Sequence, residues 1–402
     1  MKNLLLFLLV MASGIVVAQR IDENKVIFSY MQLPEHPIDN QHKTFQVVTE
    51  PKYEQANEDS LMSYQIKLEA ATAQYESELA AWREKKKVLQ RQHLTALANW
   101  EKSNNASGAV APRPAAPTYP PQPVMTEVRT PILHSDILEE KVKNAISLEG
   151  FERGENGVSI VVGVLPLSDI NISFKKVGTG AATKYNYSST YKLPLEVKVE
   201  TPTQGTVLHS IVLNTLQTYK METYASQYEF ELWWMDNEAT FYKQLEDKAR
   251  KQALIELNAL VNNKCGYPVV QRTAEVYTVK KHKGHSYKDL TRAYTLASQG
   301  YSKVSQKKDR SAAKPKLNEA ISIWKKMLEE SDMNDNKARV NDKVTGLLYC
   351  NIAEAYIWMG EFDQAELYIN QAVNAGNLKF KWAAEQLRPL LQEKKTRWNT
   401  NF

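Results

Sequence analysis

The chain has 402 residues, with 51 Lys and Arg against 46 Asp and Glu, and this formal charge of +5 is too small for the length to call for nucleic acid or an anionic membrane. Cys265 and Cys350 are its only cysteines, so stability has to come from packing rather than from a disulfide scaffold, and a bond between the two is left open. The length suits two or three domains.

The chain starts with Met1 and Lys2, followed by an apolar run from Leu4 to Val17 that closes on Ala18 before polar Gln19, Arg20 and Asp22. One cation, a short apolar core and a small exit residue predict a signal peptide over 1–18, because a spanning helix needs about twenty apolar residues. An uncleaved anchor is the rival reading. No cysteine stands at the expected cleavage point, and no later run is apolar enough to span a bilayer. The mature chain is therefore expected in the periplasm or secreted, with no integral membrane span.

Two strand-like runs follow, Val26–Met31 and Thr44–Val48, with Pro34 and Pro37 between them. Tyr53 to Lys102 has neither Gly nor Pro and is rich in Ala, Glu, Lys, Leu and Gln, which predicts one long helix. Leu61, Leu68, Tyr75, Trp82, Leu89 and Ala96 recur every seven residues, with Tyr64, Ala71, Leu79, Leu97 and Trp100 near the same stripe. Either the seam packs on the protein's own body, or it pairs with a second copy or another protein. Asn104 to Pro123 is Pro-rich and favours extended polyproline geometry. A helix of about fifty residues is roughly 75 Å long, and about twenty extended residues return roughly 62 Å. The two are expected to form an arm over 53–124, inserted into a sheet domain made of 19–52 and 125–279.

Within 125–279 a short helix is predicted at Asp136–Leu148, capped by Asp136 with Glu139. Strands are predicted at Val158–Val164, Ile170–Lys176, Tyr191–Glu200 and Thr206–Leu213. The aromatic run Tyr224 to Trp234 reads as another strand, with Asp236 or Asn237 capping a helix over Glu238–Asn262, and Val269–Val279 closes the set. Strands with packed helices make this an α+β domain.

Helical periodicity then fills 287–402. Gly346 to Asn377 reads GLLYCNIAEAYIWMGEFDQAELYINQAVNAGN, with Tyr349, Ile352, Ala353, Tyr356, Gly360, Phe362, Ala365, Ile369 and Ala372 at alternating large, small and turn positions. This stretch resembles a tetratricopeptide repeat (TPR). The closing Pro of that pattern is replaced by Asn377. Leu317 to Leu328 resembles the second helix of a degenerate repeat, with its first helix at Tyr287–Val304, and Leu378–Arg397 reads as a closing helix kinked by Pro389, whose Trp382, Leu387 and Leu391 cover the last repeat. The chain is similar to exported TPR-tailed proteins of Gram-negative bacteria. The resemblance implies an all-α, TPR-like helical hairpin array that binds a protein or peptide on the face of its first helices, here Leu347, Asn351, Glu354, Ile357 and Trp358. The alternative expectation is that the array packs on the sheet domain.

Chemistry-bearing motifs are missing. Of seven histidines only His282 and His285 are close, without further ligands at metal spacing, and they read as a solvated basic hinge. No phosphate-binding Gly loop, Gly-x-Ser-x-Gly elbow or His-Glu-x-x-His helix occurs. No catalytic, cofactor or metal residues are expected. The sequence points to a protein-protein interaction or scaffolding protein of the cell envelope, with self-association through the 53–102 helix as one route. The other reading is a ligand- or glycan-binding β-domain built on the aromatic run, with a purely structural helical tail.

Overall fold

The computed structural model describes residues 20–107, 112–281, 284–305 and 310–402; the expected signal peptide and His282 lie outside them. In chain order the elements are β1 (Arg20–Met31), β2 (Thr44–Glu50), α1 (Glu54–Ser107), α2 (Glu139–Ala145), β3 (Glu152–Arg153), β4 (Val158–Val164), β5 (Ser168–Val177), β6 (Lys184–Lys192), β7 (Leu195–Thr201), β8 (Gly205–Val212) and β9 (Gln217–Tyr224). Then come α3 (Gln227–Cys265), β10 (Val269–Lys281), α4 (Lys288–Tyr301), α5 (Lys314–Leu328), α6 (Asp342–Met359), α7 (Phe362–Asn374) and α8 (Leu378–Asn401). The protein is thus a mixed helix-and-sheet molecule.

Three sheets form. A five-stranded sheet has the order β3-β2-β4-β7-β8, in which β2 runs parallel to both neighbours and the other pairs are antiparallel. In β7 the period of two is plain: Leu195, Val197, Val199 and Thr201 face the core, while Glu196, Lys198 and Glu200 face outward. The second sheet, β5-β6-β9, is antiparallel. One strand was expected over Tyr191–Glu200; the chain instead leaves the second sheet after Lys192 and enters the first at Leu195. Pro194 sits at that break, where its missing N–H costs no ladder bond. The third sheet is the two-stranded antiparallel ribbon β1-β10, which pairs Arg20 with Lys281 and Met31 with Val269.

Helix α3 is the spine. At about 1.5 Å per residue its length is roughly 58 Å. Its first half lays Phe241, Leu245 and Ala249 in the core of the second sheet, and its second half lays Ala253, Leu257, Val261 and Cys265 in the core of the first. The aromatic run read as a strand is a correction: β9 ends at Tyr224, and Tyr228 to Trp234 form the first turns of α3. The helix starts earlier because Ser226 caps it, its Oγ accepting from the Glu229 amide at 3.1 Å while the Glu229 carboxylate accepts from the Ala225 amide at 2.7 Å. Asp236 and Asn237 therefore lie inside the helix rather than at its start. Helix α2 is shorter than expected, with Leu138 at its N-cap and no side-chain cap, so the Asp136–Glu139 box does not form.

The C-terminal helices share one core with the β1-β10 ribbon, so the structure places those two strands with the helices rather than with the sheets. α6 and α7 make a hairpin across Gly360, whose φ of +81° suits the residue without a Cβ. Ala353, Ala365 and Ala372 are fully buried where the helices meet. Tyr368 lies 6.0 Å from Tyr349 and 5.7 Å from Tyr356, ring centre to ring centre. Gly346 lets α8 come close: a Cβ there would sit 2.8 Å from Phe380 Cβ. α8 continues through Pro389; Leu387 and Leu391 are buried as expected, but Trp382 is 69% exposed.

Candidate functional site

The five residues that the repeat resemblance implies for recognition are all buried, at 0–3% exposure. The protein's own ribbon meets three of them. Asn351 receives the Tyr277 amide at 2.8 Å and donates to the Tyr277 carbonyl at 2.9 Å, closing the outer edge of β10 at that point. Trp358 meets Phe28 and Tyr30 of β1 edge-on, with ring centres 4.8 and 4.7 Å apart. Leu347 and Ile357 are in the same core, and Glu354 lies 3.2 Å from Arg272 of β10. Burial pushes the Glu354 carboxyl above the ordinary carboxylate range although Arg272 pulls the other way. A cavity of about 310 Å³ reaches Glu354 and Cys350 past Arg272 and Tyr277. The Cys350 thiol is also pushed up by burial, the opposite of what a nucleophile requires. Both cysteines are free and sit in different cores.

The arm is the larger surface. At 54 residues, α1 is roughly 81 Å long, and among the described residues no other helix or strand packs along it. Half-buried positions recur every three or four residues: Tyr64, Leu68, Ala71, Tyr75, Leu79, Trp82, Lys86, Leu89, His93 and Leu97. The expected seam is thus mostly covered, except for exposed Leu61 and Ala96. Its cover is the Pro-rich return segment. In that segment Pro114, Pro117, Pro120 and Pro123 are the half-buried residues, and their step of three is the repeat of a polyproline helix, so one face of it rests on the α1 stripe. Trp82 Nε1 donates to the Pro120 carbonyl at 2.8 Å, and Lys86 lies over the rings of Trp82 and Tyr119.

The opposite face of α1 is open. Met62 is 66% exposed, Ile66 58%, Val88 45% and Leu94 64%, with exposed Ala70, Ala73 and Ala80 between them. Met62, Ile66, Val88 and the three alanines lie close to half a helical turn from the covered stripe, and Leu94 lies at the edge of that face, about a quarter turn from the stripe.

The root of the arm is tied firmly. Asn57 holds both backbone groups of His134, accepting from its N–H at 2.8 Å and donating to its carbonyl at 3.1 Å. His134 Nδ1 lies 2.7 Å from Glu246 Oε1, whose other oxygen accepts from the Ser135 amide at 2.8 Å. Burial would raise the Glu246 carboxyl, but those two hydrogen bonds and the nearby Arg250 charge outweigh it and hold the group below its ordinary value. Arg250 donates to the Ser135 carbonyl and faces the Tyr53 ring, and the Tyr53 hydroxyl accepts from the Ile137 amide at 3.1 Å. These bonds fix where α1 leaves the body and where the return segment rejoins it.

Sequence reasoning missed this root, since nothing in one chain brings Asn57, His134 and Glu246 together. Of the aromatic run, Phe230 is buried with Tyr187 stacked on it at 3.7 Å and Trp234 packs against Phe241 at 5.3 Å, whereas Tyr228 is exposed. His285 bonds the Lys337 carbonyl at 3.0 Å, and among the described residues no group of three His, Cys, Asp or Glu is placed to hold a metal ion. No described helix is long and apolar enough to cross a membrane. Comparison with family models, curated proteins and solved structures returns no match for this chain.

Proposed function

We propose that this is an exported, non-catalytic scaffolding protein of the cell envelope whose working surface is the open face of the α1 arm. The TPR-like helices serve in this reading as a clamp on the chain's own β1-β10 ribbon. One observation carries it: the face of α6 implied by the repeat resemblance is filled from within, whereas Met62, Ile66, Val88 and Leu94 stand uncovered on a rod fixed at its root. Exposed apolar residues are common singly, and it is their recurrence on one side of a projecting helix that supports the reading. The signal-peptide pattern over 1–18 supports export.

Crosslinking in the native envelope with an amine-reactive reagent tests the reading. Lys85 and Lys87, exposed on the outer half of the arm, should dominate the intermolecular crosslinks. Crosslinks confined to lysines of the body, unchanged when the arm is excised, would sink it.

A further inference from the structure

The arm is divided in charge as well as in exposure. Residues 54–80 carry six carboxylates and one lysine, while residues 81–107 carry six Lys and Arg and two carboxylates. Within one chain the two blocks do not meet. Glu69 and Glu78 are hydrogen-bonded by Gln65 and Gln74, and among the described residues the ion pair of the arm, Glu84 with Lys87, lies inside the outer block. A second arm laid parallel would set carboxylates on carboxylates and cations on cations. Laid antiparallel, it sets each block on its opposite.

The open face has the matching symmetry. About a point near Ala80, Ile66 and Leu94 are equidistant in sequence, as are Glu69 and Arg91, and Glu76 and Arg83 fall one residue from the same relation. Exposed Ala73 and Ala80 at the middle allow close approach of two helices. Resting on the reading of the arm as a recognition surface, we propose that its partner is a second copy of this chain. The two arms lie antiparallel about a two-fold axis near Ala80, with Ile66 of each against Leu94 of the other. Glu69 and Glu76 then face Arg91 and Arg83 across the seam, and the return segments stay outside it. Such an interface is self-complementary and closes as a dimer. Ala80 lies about 39 Å along α1 from its start, so the two bodies are held roughly 80 Å apart.

Sedimentation of the mature full-length chain tests this. The wild type should be dimeric, and either Glu69→Lys with Glu76→Lys or Arg83→Glu with Arg91→Glu should weaken the dimer at least about tenfold, with helicity retained because all four side chains are exposed. An equimolar mixture of the two double variants should restore pairing. Ile66→Cys should form crosslinks with Leu94→Cys in a mixed sample but not with itself. A monomeric wild type, a dimer indifferent to both charge reversals, or self-crosslinking of Ile66→Cys overturns the proposal. A monomer whose Lys85 and Lys87 still crosslink to other envelope proteins would overturn self-pairing while leaving the scaffold reading intact.

Discussion

Glu354 is a carboxylate buried at the joint between the hairpin and the ribbon, and its raised proton affinity has a definite sign. The folded protein holds that proton more tightly than the unfolded chain does, so the contribution of Glu354 to stability is fully present below the ordinary carboxylate pKa of about 4.5 and is lost as pH rises through its folded value. Glu354→Gln should therefore leave stability unchanged or raise it at pH 7 to 8, with the advantage shrinking toward pH 4.5; thermal melts across that range check the slope. Asn351 behaves differently, since it satisfies a backbone donor and acceptor of Tyr277 that are out of water. Asn351→Leu should cost about 1–3 kcal/mol in urea unfolding, the usual penalty for buried polar groups left unpaired. Part of this was legible in the sequence: Ala353, Ala365 and Gly360 announce a helical hairpin through their sizes and spacing. What covers the hairpin was not. The two strands that fill its face both precede Asn351, one by more than seventy residues and the other by more than three hundred, and no local pattern encodes that pairing.

At the scale of elements, the long helix and its Pro-rich return were readable because composition alone dictates both: a Gly-free, Pro-free run makes a rod, and prolines every third residue make an extended strand. Their contact explains the expected seam. It is the inner face of an α-helix and polyproline hairpin, and Trp82 is its midpoint clasp. Trp82→Ala should free the return segment without touching the body, so limited proteolysis should speed up between Pro112 and Pro131 while the melting temperature holds. Equal cleavage rates would mean that the segment is held elsewhere. The aromatic run was misread because alternate large residues from Tyr224 to Trp234 suit a strand face, yet Phe230, Trp234, Phe241 and Leu245 also suit one side of a helix. The deciding signal was Ser226 with Glu229, a Ser-x-x-Glu start four residues long.

For the whole molecule, the arm is an excursion that leaves and rejoins at one point. Asn57 and His134 are hydrogen-bonded neighbours although 77 positions apart. Deleting Ser60 to Leu133 and joining the ends through a short Gly-Ser linker should leave a folded body, with Tyr53 and His134 still seated on Arg250 and Glu246. Circular dichroism and a cooperative melt would confirm this; an insoluble product would show that the arm is needed for folding. The foot of α8 ties the helices to the rest of the body. Arg397 on α8 donates to the Leu33 and Asn263 carbonyls at 2.6 and 2.9 Å and pairs with Glu35, which Lys264 at the end of α3 also holds.

The ribbon that brings Arg20 to Lys281 also sets the order in which the molecule can be finished. A chain emerging from its N-terminus makes β1 first and must keep it unpaired through some 240 further residues, since its partner comes only after α3. The face of α6 arrives later still and finds both strands waiting. Any product cut short before α6 lacks the Trp358 ring that covers Tyr30 and one edge of Phe28, although Tyr301 of α4 can still stack on Phe28, and apolar surface left open in this way is a ready mark for proteases that clear incomplete chains.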